Sequence, residues 1–101
     1  MGTNYYAHVD GDRLHLTKTS GGWKPALHWH PDRYTTPDEF FDFVMDPSVT
    51  IVDEYGRTWS KRLFVEKVRR WVRENDRTHD PSAYYVEAIR GGYQFHSGEW
   101  S

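Results

Sequence analysis

A change of hydrophobic period is what most constrains the fold of this chain. Residues Tyr5–Val9 and Leu14–Lys18 alternate apolar and polar at period two, the pattern of strands with one face buried. Asp10-Gly11-Asp12 between them is a tight-turn signal, because glycine tolerates the positive φ that a primed hairpin turn needs. A turn centred on Gly11-Asp12 sets His8 opposite His15. Thr19–Gly22 reads as a second turn and Trp23–His30 as a third strand, completing an N-terminal meander.

From Thr36 the period becomes that of a helix. Thr36-Pro37-Asp38-Glu39 supplies an N-cap, a proline at the first helical position and a capping-box glutamate. A short helix over Pro37–Met45 follows, with Phe40, Phe43 and Val44 on one face, and Pro47 stops it. Val49–Asp53 is a β-branched strand that ends in a turn at Tyr55-Gly56. Ser60 caps a second helix over Lys61–Arg73, whose apolar stripe is Phe64, Val65, Val68, Trp71 and Val72. A polar loop over Asn75–Ser82 leads to a C-terminal hairpin, Tyr84–Ile89 and Tyr93–Ser97, around Gly91-Gly92. The predicted fold is α+β: a mainly antiparallel sheet with two helices, in one domain spanning residues 1–101.

One domain also follows from 101 residues, too few for two cores. Five Trp, seven Tyr and five Phe make that core largely aromatic. Cysteine is absent, which excludes disulfides and thiolate chemistry. No stretch is long and apolar enough to span a membrane. The Met1–Tyr5 start has neither the basic nor the apolar region of a signal peptide, and Tyr6 stands where a myristoylation motif wants Ser or Thr. The expectation is a soluble, cytosolic protein with no membrane partner.

Three features are candidate binding surfaces. Lys18, Thr19, Ser20, Gly21, Gly22, Trp23 and Lys24 combine hydroxyls, glycines, charge and an indole, the ingredients of an anion nest. The glycines follow the lysine and a strand follows them, so this is no P-loop, and a plain strand-to-strand turn is the commoner meaning. His8, His15, His28 and His30 gather on neighbouring strands, but without cysteines the expectation is surface imidazoles and no metal site. Arg62, Arg69, Arg70 and Arg73 line the second helix opposite its apolar stripe. Acids outnumber bases seven to one over Asp32–Glu54, and the ratio reverses over Arg57–Arg73. At a net charge of −2, the basic helix is expected to meet that acidic stretch within the fold or across a homodimer interface; phosphate binding is the alternative. No nucleophile elbow, His-Glu-x-x-His or cysteine nucleophile is present, so no enzyme activity and no cofactor are expected.

The segments GTNYY (Gly2–Tyr6), LHLTKTSGGW (Leu14–Trp23), LH (Leu27-His28) and DEYGR (Asp53–Arg57) resemble those of a family of small, uncharacterised tailed-phage proteins, actinobacteriophage-like in type. The likeness covers roughly the first 60 residues. Many of those relatives carry a Cys-x-x-Cys, suggestive of a zinc knuckle, where this chain has Val9–Arg13. The resemblance implies a viral protein acting in the host bacterial cytoplasm. With catalytic motifs missing, the expectation is a non-catalytic accessory protein that binds a host or defence component. The alternatives are a sequestering module for a nucleotide or nucleic acid, and a degenerate zinc-knuckle-like fold.

Overall fold

The computed structural model describes residues 2–75, 86–90 and 93–96. In chain order they form β1 (Gly2–Val9), β2 (Asp12–Ser20), β3 (Ala26–His28), α1 (Pro37–Met45), β4 (Thr50–Asp53), β5 (Thr58–Trp59), α2 (Lys61–Glu74), β6 (Val86–Arg90) and β7 (Tyr93–His96). The seven strands make one sheet in the order β5-β4-β1-β2-β3-β7-β6, and only the β3–β7 pairing is parallel. The α+β reading with a mainly antiparallel sheet and two helices therefore holds. The expected turn at Gly91-Gly92, Ser97, Tyr84, Tyr85 and most of the Asn75–Ser82 loop lie outside the described residues.

The β1–β2 turn differs from the expected one by a single residue. Asp10 and Gly11 both have positive φ (52° and 78°), and Val9 pairs with Asp12, the pattern of a type I′ hairpin. His8 consequently faces Arg13, and His15 faces Tyr6. Beyond Tyr6 the register shifts, giving β2 one extra residue. That bulge lets consecutive Leu16 and Thr17 both be buried, with the Thr17 hydroxyl donating to Ala26 O at 2.8 Å.

The third strand is shorter than the expected Trp23–His30. β2 runs on through Ser20, and the turn proper is Ser20–Trp23, closed by Trp23 N–H to Ser20 O at 3.0 Å. Only Gly22 of the two glycines has positive φ (81°), as at the third position of a type II turn. Pro25 offers no N–H to a ladder, so regular pairing begins at Ala26.

One sheet face carries the core. Tyr5, Ala7, Val9, Leu16, Leu27, Ile51 and Phe95 point to it, under Phe40, Phe41 and Val44 of α1 and Phe64 and Val68 of α2. Edge and tilted ring contacts lock the layers, with Tyr5 to Phe64 at 5.2 Å, Tyr34 to Phe40 at 5.0 Å and Phe41 to Tyr93 at 5.7 Å. Phe41, rather than Phe43, joins Phe40 and Val44 as the buried residues of α1, with Tyr93 of β7 as its partner. Thr36 caps α1 as expected, its hydroxyl accepting from Glu39 N–H. The Glu39 carboxylate returns to Thr35 rather than to Thr36, accepting from Thr35 N–H and Oγ. Ser60 sits at the N-cap of α2 but makes no side-chain cap bond there.

Candidate functional site on the helix-free face of the sheet

Strand alternation sends Asn4, Tyr6, His8, Arg13, His15, Lys18 and His28 to the face opposite the core, where no helix of the described residues packs. Their rings form a continuous stack. Arg13 lies 3.9 Å over the Tyr6 ring, Tyr6 stacks on His15 at 4.9 Å, His15 meets His28 at 5.2 Å, and His28 stacks on His30 at 5.0 Å. The His30 Nε2–H donates to His15 O at 3.0 Å, so a side chain extends the ladder beyond the end of β3. His96 of β7 pairs beside His28 and is buried.

Polar bonds tie this stack to the β4–β5 loop. Asn4 N–H donates to Glu54 Oε1 at 2.8 Å, and Glu54 N–H returns to Asn4 O at 2.9 Å. The Asn4 amide nitrogen also leans toward Glu54, so its Oδ1 accepts from His15 Nε2–H at 2.9 Å. That assigns the Nε2–H tautomer to His15. Burial is the main cause that holds His15 down at about pH 4 from its ordinary 6.5, reinforced by His28 and His30 beside it and opposed by a hydrogen bond to the Thr17 backbone. At neutral pH the centre of the stack is an uncharged imidazole.

The loop that delivers Glu54 is organised by Asp53. Its Oδ1 accepts from Tyr55 N–H (2.9 Å) and Arg57 N–H (3.0 Å), and its Oδ2 from Trp59 Nε1–H (3.0 Å). Burial alone would raise this carboxyl, but those three bonds and the Arg57 charge outweigh it and hold the group below the usual carboxylate range. Gly56, at φ 81°, makes the reversal. Tyr6, His8, Arg13, Val52 and Glu54 together border a shallow groove of about 270 Å³.

The residues singled out from sequence divide between two places. Lys18 belongs to the helix-free face, its stem running over Gly2, where an added Cβ would come within 3.0 Å of it. Thr19 is buried, beside the Tyr5 hydroxyl. The turn beyond is docked onto the end of α2: Gly22 N–H donates to Asn75 Oδ1 at 3.1 Å, and Trp71 Nε1–H donates to Trp23 O at 2.7 Å. Two of the turn's N–H groups, those of Gly22 and Trp23, are thus committed inside the fold. Gly21 is exposed, and Ser20 and Lys24 are half-buried beside it.

Of the four arginines, Arg62 pairs with Glu66 on its own helix at 3.4 Å, and Arg69 lies 4.4 Å over the Phe41 ring. The expected ion pairing with Asp32–Glu54 inside the fold does not occur among the described residues. The two stretches meet instead through Lys61, whose ammonium donates to the Asp46 carbonyl, and through Arg57, 4.0 Å from the Asp53 carboxylate. The expected opposition of His8 and His15 is also absent, for the register reason given above. The imidazoles stack instead of converging, and no three His, Asp or Glu side chains among the described residues are arranged to hold a metal ion.

Sequence reasoning did not single out Asn4, Tyr6, Arg13 or Glu54. The parity of β1 and β2 carries a signal for the first three. Glu54 depends on the β1–β4 pairing, which local pattern does not encode. Comparison with protein-family models, with curated proteins and with solved structures finds no match to this chain.

Proposed function

We propose that this chain is a small bacteriophage accessory protein, non-catalytic, that binds a host or defence component in the cytoplasm of an infected bacterium through the helix-free face of its sheet. One observation carries the reading. The four segments that resemble phage proteins are scattered over more than fifty residues, yet each contributes to one network: Asn4 and Tyr6, His15, His28, and Glu54. Tyr and Arg dominate interface hot spots, and here they are pre-stacked, so little side-chain entropy is lost on contact.

The test is capture from an actinobacterial lysate by wild type, by Arg13→Glu and by Arg70→Glu. The reading expects a defined component retained by wild type and Arg70→Glu and lost with Arg13→Glu, whose melting temperature stays near that of wild type. Equal capture by all three removes this face from the binding event. A second reading, a phosphate-bearing ligand, draws on the exposed arginines of α2. It expects the reverse pattern, with co-purified nucleotide or nucleic acid lost on Arg70→Glu and a steep salt dependence.

A further inference from the structure

The two helices lie side by side on the core face of the sheet, and their outward surfaces have opposite sign. Asp38 and Asp42 stand four residues apart on exposed α1, which carries no basic residue. Arg69, Arg70 and Arg73 crowd the exposed side of α2. Like charges three or four residues apart on one helix repel; Asp38 and Asp42 have no base on α1 to offset this, and on α2 Glu66 and Glu74 offset only part of the Arg69–Arg70–Arg73 repulsion. The fold does not offset the rest through direct pairs, since no ion pair among the described residues joins Arg69, Arg70 or Arg73 to Asp38 or Asp42. Arg69, Arg73 and Asp38 all act on the Tyr93 hydroxyl, so the two charge sets lie on neighbouring parts of this layer. Met45 and Leu63, 51% and 57% exposed, add apolar surface to the same layer.

We propose that this helix layer is the interface between two copies of the chain, related by a two-fold axis that sets α1 of each against α2 of the other. A two-fold interface needs a self-complementary patch, and an acidic helix beside a basic one is such a patch. Its size predicts a weak association. Helices of about 14 and 21 Å, side by side, cover roughly 400 Å² per copy, below the ~800 Å² per partner of stable complexes. The dimer therefore depends on charge and dissolves in salt.

The experiment is sedimentation velocity on the full chain across a concentration series at ~50 mM and ~500 mM salt, with Asp42→Arg, Arg70→Glu and their equimolar mixture. The expected result is a wild-type dimer at low salt that dissociates at high salt. Each single variant is monomeric where wild type is half dimeric. The mixture recovers the dimer, because both of its α1–α2 contacts then join opposite charges. Asp38→Arg with Arg73→Glu repeats the test should either first variant fold poorly. The proposal is overturned by a wild type that stays monomeric at low salt, by single variants that dimerise as wild type does, or by a mixture that does not recover. It is equally overturned if the wild type stays monomeric while binding a DNA oligonucleotide through Arg70.

Discussion

His15 holds an uncharged ring at the centre of a polar network, and that has a consequence in acid. Between pH 6.5 and about 4 the unfolded chain takes up a proton that the folded His15 refuses. Stability then rises with pH across this window and is lost as the solution is acidified through it. His15→Gln keeps an N–H donor for Asn4 Oδ1 and removes the titration, so the slope of the urea midpoint between these pH values should shrink; an unchanged slope would clear His15. Gly22 makes a second residue-scale case. At φ 81° a β-branched side chain is strained, and Gly22→Val should cost about 1 kcal/mol or more. At Gly21, where φ is not positive and a Cβ would meet open space, Gly21→Ala should leave the urea midpoint near wild type. The sequence named this pair as a turn correctly, but a Gly-Gly dipeptide does not reveal which glycine takes the left-handed position.

Elements were legible wherever a local rule suffices. The start of α1 follows from Thr36 and Pro37, and Thr36→Ala should cost roughly 1 kcal/mol by thermal or urea melting. The extent of α2 follows from its stripe of Phe64 and Val68. Less legible were the ends of β2 and β3, because they are set by tertiary partners. Trp71 and Asn75 hold the Ser20–Trp23 turn from α2, nearly fifty residues away in sequence. Trp71→Phe removes the indole donor to Trp23 O while keeping an aromatic ring. A loss of roughly 0.5–1.5 kcal/mol is expected, with helix content by circular dichroism unchanged. Docking also commits the Gly22 and Trp23 N–H groups of the LTKTSGGW stretch inside the fold.

Over the whole molecule, one pairing organises everything else. The parallel β3–β7 contact joins the N-terminal strands to the C-terminal hairpin, placing His96 beside His28 and Phe95 beside Leu27. Nothing in the periodicity of either segment announces it, because period two fixes faces and leaves strand order open. The outcome is a molecule with two chemically distinct sides. On one, the helices present opposed charges; on the other, Arg13, Tyr6 and the histidines form a stacked surface tied to Glu54. A host component is proposed for the second side and a second copy of the chain for the first. Photo-crosslinking in an actinobacterial lysate separates the two directly, using a benzophenone amino acid in place of exposed His8 on the sheet face or exposed Leu63 on α2. That assignment requires an adduct with one host component from position 8, and from position 63 an adduct with the chain itself. A host adduct from position 63, with none from position 8, would contradict it.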